Sequence, residues 1–257
     1  MRFFATLLML TCVLPSLAAG KKERPTGRIL DLKYNFKEAG VEMPYSLYLP
    51  RAYTAKKKWP LVVALHGLFS NPWQMIRYPG LTKQAEKYGF IVVAPMGYNS
   101  MGWYGSKGQK SDLFVPKNLG ELSEKDVLNV VAITQKEFSV DTLNVFLMGH
   151  SMGGGGTWHL GMKYPEKWAA LAPLAPAAPN NLADLKKIKD KPVIMVMGTS
   201  DFLWNSGLPW VAEMKKLEMK YEYIEVKNGG HLLSVIQKVP EVFAFFEKHR
   251  RKPLKKP

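Results

Sequence analysis

Cysteine is almost missing: Cys12 stands alone in 257 residues. That excludes an intramolecular disulfide framework, a cysteine-rich zinc module and an iron–sulfur cluster. Acidic residues are scarce as well, 21 Asp plus Glu against 36 Lys plus Arg, for a net charge of +15. Such an imbalance draws anionic polymers toward the surface by long-range attraction and carries no information about the fold. No motif that reads RNA or DNA accompanies the positive charge. Lys56-Lys57-Lys58 and the tail of Arg250-Arg251-Lys252 and Lys255-Lys256 therefore read as a solvated turn and terminus, not as a nucleic-acid surface. An apolar run of about 20 residues, the length of a membrane span, is also missing.

The longest apolar stretch, Phe3 to Leu17, follows Met1-Arg2 and gives way to small residues at Ser16, Ala18, Ala19 and Gly20. A positive start, an apolar centre and an A-x-A-like exit are the marks of a cleaved secretory signal. Residues 1–19 are thus expected to be a leader, with a single domain at 20–257 that ends in a basic tail. The expected destination is the periplasm or the cell exterior.

From Leu61 onward, strand-like and helix-like segments alternate. Leu61 to Leu65, Phe90 to Ala94, Asn144 to Met148, Trp168 to Ala172 and Val193 to Met197 are continuous apolar runs, and Tyr221 to Val226 alternates. Runs without alternation predict strands covered on both faces, hence an α/β fold with a mostly parallel sheet between helices. Helices are predicted over Gln74–Tyr88, Glu124–Phe138, Gly154–Lys163, Leu182–Ile188, Leu208–Met219 and Val239–Arg250, with Ser123 as a cap of the second. Upstream, Arg28–Asn35 and Glu42–Leu49 read as an antiparallel pair. The stretch from Met96 to Gly120 has no strong period and is rich in aromatics, the signature of an ordered functional loop.

One segment carries chemistry. The run Asn144 to Met148 leads into Gly149-His150-Ser151-Met152-Gly153, a G-x-S-x-G between a buried strand and a helix. In such an elbow the turn lifts the serine hydroxyl clear of the sheet, and flanking glycines are needed where strand and helix nearly touch. Serine alone is a poor nucleophile and needs a base held by an acid. Sheet order predicts acid and base on loops after later strands, and Asp201 and His231 follow Val193–Met197 and Tyr221–Val226 in that order. A turn cap for Asp201 and a packed loop position for His231 are the structural alternatives. His150, His159 and His249 have weaker claims, and no histidine pair has zinc-motif spacing, so neither metal nor cofactor is expected. The second oxyanion donor is expected at Met152 N–H, the first at Leu68 or Phe69 in the loop after His66-Gly67, with Leu68 preferred. Trp103, Tyr104 and Trp204 are candidate substrate-stacking residues.

Together, Leu61 to Gly67, Gly149 to Gly154, Gly198-Thr199-Ser200-Asp201 and Gly230-His231 resemble the α/β-hydrolase superfamily. More narrowly they resemble secreted esterases of the feruloyl esterase, polyhydroxybutyrate depolymerase and predicted-peptidase grouping. Tyr45 to Pro50 and Tyr164 to Ala170 are similar to that group too, and the likeness runs from about Leu32 to Lys248. One departure is the absence of cysteines for the disulfides that many secreted members carry. The resemblance implies an α/β-hydrolase fold and cleavage of carboxylic esters, free or linked to polysaccharide, with feruloyl-type, carbohydrate or short acyl groups. A serine peptidase of the prolyl-oligopeptidase kind, an acyltransferase and a non-catalytic binder of anionic polymers are the other readings.

Overall fold

The computed structural model describes residues 23–107, 116–179 and 181–252. The expected leader at 1–19, part of the Met96–Gly120 loop and Lys255-Lys256 lie outside the described residues.

In chain order the elements are β1 (Ile29–Phe36), β2 (Val41–Tyr48), β3 (Trp59–Leu65), α1 (Pro72–Ile76), α2 (Leu81–Tyr88) and β4 (Ile91–Pro95). Then follow α3 (Leu119–Glu137), β5 (Val140–His150), α4 (Met152–Lys163), β6 (Leu171–Leu174), β7 (Val193–Gly198), α5 (Trp204–Lys216), β8 (Tyr221–Val226) and α6 (Leu233–Lys248). All eight strands form one sheet in the order β1-β2-β4-β3-β5-β6-β7-β8. β2 pairs antiparallel with β1 and β4, and from β4 to β8 every pairing is parallel.

The unbroken apolar runs are explained by which way each side chain faces. Along β3, Leu61, Val63 and Leu65 enter one core and Val62 and Ala64 the other; β5 splits Val145 and Leu147 from Phe146 and Met148 in the same way. Helices α3, α4 and α5 close the first face through Val127, Trp158, Trp210 and Met214. On the second, α1, α2 and α6 contribute Met75, Ala85, Val239 and Phe243. A strand with helices on both sides has no solvent face, so period-2 alternation disappears. β8, at the sheet edge, is only half-buried.

Several boundaries differ from the sequence expectation. The predicted helix Gln74–Tyr88 is two helices, because Pro79 lacks an amide donor and Gly80 sits at φ +87. α3 begins at Leu119, so Ser123 is no cap; it is buried inside the helix, where its Oγ accepts the Tyr104 N–H. α5 and α6 start earlier than expected and run through Pro209 and Pro240. Leu182–Ile188 is a 3₁₀ segment. β6 is shifted to Leu171–Leu174, and Trp168 is fully buried with its indole N–H donating to Leu160 O at 3.0 Å.

α4 lies against β5 more closely than any side chain permits. A Cβ on Gly149 would fall 2.2 Å from Gly153 O, and one on Gly153 would fall 2.3 Å from Leu65 O. Both obstacles are backbone, which cannot rotate away. Gly153→Ala is therefore expected to cost at least about 3 kcal/mol, a fall in Tm of roughly 6–12 °C. Gly230→Ala, with nothing within 4 Å of the new Cβ, is expected to move Tm by less than about 2 °C. Equal melting temperatures for the two variants would refute the close-approach explanation.

Candidate active site

The end of β5 turns directly into α4 at Ser151, whose backbone is at φ 58 and ψ −115. A non-glycine residue at positive φ costs on the order of 1–3 kcal/mol and persists only where its surroundings enforce it. Here they do: Ser151 N–H donates to Leu174 O on neighbouring β6, and Ser151 O accepts from Gly155 and Ala177. The helix starts at the next residue, so the amides of its first turn have no intrahelical acceptor and point their dipole toward the serine.

Asp201 and His231 leave the same rim of the sheet. The Asp201 side chain is completely buried. Its Oδ2 accepts from His231 Nδ1 at 2.8 Å, and its Oδ1 accepts the Leu203 N–H at 2.8 Å. A carboxylate oxygen can only accept, so Nδ1 carries a proton, and in the neutral ring Nε2 keeps its lone pair. Ser151 and His231 line one cavity of about 460 Å³. No direct hydrogen bond joins them among the described residues, and in unliganded sites such contacts are often long.

The cavity wall is largely apolar: Leu68, Phe69, Trp103, Phe202, Leu203 and Leu232. Phe69 N–H is already committed to Ser100 O at 2.9 Å, which weighs against it as the donor expected from that loop. Met152 opens α4 beside the serine. Of the three aromatics expected to face substrate, only Trp103 reaches the cavity. Tyr104 is a correction: it is 0% exposed, its hydroxyl donates to His66 O at 3.2 Å, and it packs under Gly97 and Gly156. Trp204 is another: at the start of α5 it packs against the core and faces Tyr223, away from the cavity lining. Neighbouring aromatics in a loop look alike in sequence, and the backbone turn decides which one points inward.

The cavity also holds residues that the sequence reading passed over or set aside. His150 lines it, with its ring centroid 4.6 Å from that of His231. Tyr78 from the Pro79-Gly80 turn bonds His150 Nδ1 at 2.9 Å. Phe202, 78% exposed, lies 4.5 Å from the His231 ring; its position directly after Asp201 was the one available signal. His159 is paired instead with Glu124 of α3 at 2.8 Å, and His249 caps α6. Among the described residues, no group of His, Cys, Asp or Glu is arranged to hold a metal ion.

Burial, reinforced by the neighbouring His231, pushes the His150 imidazole down from 6.5 to about 4. Between these values the unfolded chain takes up a proton that the folded chain refuses, so stability falls as pH drops from about 6.5 toward 4, by on the order of 3 kcal/mol. In His150→Gln this acid-side loss is expected to shrink. Thermal melts of both proteins across that range measure it, and parallel curves would contradict it.

Comparisons with known proteins agree with this geometry. The sequence matches the family model described as "Putative esterase" over residues 37–231. It is 28% identical over 169 residues to the bifunctional acetylxylan esterase/xylanase of Neocallimastix patriciarum, covering 66% of this chain and 23% of that protein. To the acylamino-acid-releasing enzyme of Sus scrofa it is 31% identical over 192 residues, covering 71% of this chain and 25% of that protein. The chain thus spans about a quarter of the length of these relatives. The solved feruloyl esterase module from Clostridium thermocellum, complexed with sinapinate, superposes with a TM-score of 0.68 at 16% identity, covering 95% of this chain and 96% of that one. With the family model spanning most of the chain, and an eight-stranded sheet that matches solved hydrolases of this architecture, the protein belongs to the esterase family of the α/β-hydrolase fold.

Proposed function

We propose that this chain is an exported serine hydrolase that cleaves carboxylic esters through an acyl-enzyme formed on Ser151. The observation that carries the reading is the 2.8 Å bond between His231 Nδ1 and the buried Asp201, on the cavity that Ser151 also lines. In this reading His231 Nε2 takes the Ser151 proton as Oγ adds to the ester carbonyl carbon. Asp201 keeps the proton on Nδ1 and stabilises the imidazolium. The carbonyl oxygen, now negative, accepts from the Leu68 and Met152 amides, each worth roughly 3 kcal/mol at the transition state. Collapse of the intermediate breaks the bond to the alcohol, which leaves with the proton from His231. Water, deprotonated by the same ring, then releases the acid and restores the serine.

The apolar wall supports an uncharged acyl group, aromatic or short aliphatic, and Trp103 offers a face for an aromatic one. An ester borne on a polysaccharide is compatible with an acyl pocket that opens at an exposed rim. The leader pattern at residues 1–19 supports export, and the charge of +15 supports attraction to anionic polymers around the cell.

A fluorophosphonate probe is expected to label Ser151 in the wild type and nothing in Ser151→Ala, whose kcat on p-nitrophenyl acetate falls by at least about 10⁴-fold. Labelling that persists in that variant would overturn the assignment. Asp201→Asn is expected to lower kcat about 10³- to 10⁴-fold by permitting the wrong tautomer. In a panel of p-nitrophenyl esters, methyl ferulate, acetylated xylan and a peptide amide, Trp103→Ala is expected to raise KM about tenfold for the aromatic acyl ester and little for acetyl. Faster turnover of the amide than of every ester would favour the peptidase reading.

A further inference from the structure

The His231 ring is held at Nδ1 by Asp201, and the residue before it is held by Ser234 Oγ, which donates to Gly230 O at 2.7 Å. Neither of these contacts reaches the His231 backbone. A third contact does. His150 Nε2 lies 3.2 Å from the backbone carbonyl oxygen of His231 itself. On the far side of the same imidazole, Nδ1 lies 2.9 Å from the Tyr78 hydroxyl.

These partners fix the tautomer. A carbonyl oxygen only accepts, so Nε2 carries the hydrogen and donates to His231 O. Nδ1 is then bare and accepts from the Tyr78 O–H. Burial keeps both groups in the required state, the imidazole neutral with its pKa near 4 and the phenol protonated with its pKa near 12. Phe202 also touches the His231 ring, but it is a mostly exposed apolar ring with no hydrogen bond to give.

We propose that His150, oriented by Tyr78, is a positioning residue: its Nε2–H anchors the His231 backbone and thereby aims the base at Ser151. The inference rests on the base role proposed above for His231. His150 and Ser151 are chain neighbours at the end of β5, so the element that presents the nucleophile also sets the reach of its base. A shift of the strand end would carry both together.

Two near-isosteres separate this role from simple packing. The Gln side-chain nitrogen can occupy the place of His Nε2 and keep the donor to His231 O. The Asn side chain reaches only the Nδ1 position and loses that donor. His150→Asn is expected to lower kcat on p-nitrophenyl acetate about 10- to 100-fold, with KM within about threefold, and His150→Gln to recover most of the loss. Tyr78→Phe is expected to lower kcat severalfold and to add little in the His150→Asn background, since both remove one chain of contacts. Equal rates for the Asn and Gln variants at matched Tm, or a loss confined to KM, would overturn the proposal. Should the Asn variant fail to fold, Tyr78→Phe alone decides, and a wild-type kcat there refutes it. A readout independent of activity comes from ¹⁵N NMR of the wild-type imidazoles. Protonated Nε2 and bare Nδ1 at His150 are expected, and the reverse tautomer would overturn the brace. Failure of the fluorophosphonate to label wild-type Ser151 would instead strike the hydrolase reading, which the NMR signature does not depend on.

Discussion

The close crossing of β5 and α4 is the constraint on which the site depends. Backbone meets backbone at Gly149, Gly153 and Leu65, and the chain can make that turn only by placing Ser151 at positive φ. The strain is held by hydrogen bonds to β6 and to the Ala177 segment, so the rigidity of a sheet buried on both faces is transmitted to one hydroxyl. The same geometry sets the first amides of α4 beside it. The raised hydroxyl and the helix-end dipole thus come from one local event in the chain.

Around that point the walls are loops tied to one another and to α3. The loop after β3 is joined to the loop after β4 by Phe69 N–H to Ser100 O, by His66 Nε2 to Met96 O and by the Tyr104 hydroxyl to His66 O. Asp126 of α3 holds the start of the second loop, accepting from the amides of Gly97 and Tyr98 and from the Tyr34 hydroxyl. Burial pushes the Asp126 carboxyl up to about 6, against the pull of these hydrogen bonds. A buried acid surrounded by donors is costly to disturb, so Trp103 is presented to the cavity from a braced loop.

The surface divides by chemistry around the cavity. Large exposed apolar side chains gather at the cavity mouth, with Phe69 at 73% and Phe202 at 78% exposure beside Leu68 and Leu232. The polar groups there are few, and Asp201, His150 and Tyr78 each have a hydrogen-bond partner. Desolvation strengthens such interactions, and an apolar rim sheds water from any apolar group that enters.

Strand and helix alternation, the unbroken runs of β3, β4 and β7, and the antiparallel start were legible in the sequence, because burial on both faces leaves a compositional trace. The convergence of Ser151, Asp201 and His231 on one rim of the sheet was legible through position: each follows a strand that must point the same way in a parallel sheet. What stayed hidden was orientation. Nothing local distinguishes Trp103, which lines the cavity, from Tyr104, which is sealed beneath it, since a backbone turn between neighbours sends them opposite ways. Tyr78 and Phe202 likewise belong to no motif. Their places beside His150 and His231 come from segments far apart in the chain, brought together only when the two cores close. The sequence by itself determined which strands form and where reactive groups leave them, because those follow from local burial and order. Which side chains surround those groups was decided by packing between distant loops, and that depends on the whole sheet being assembled.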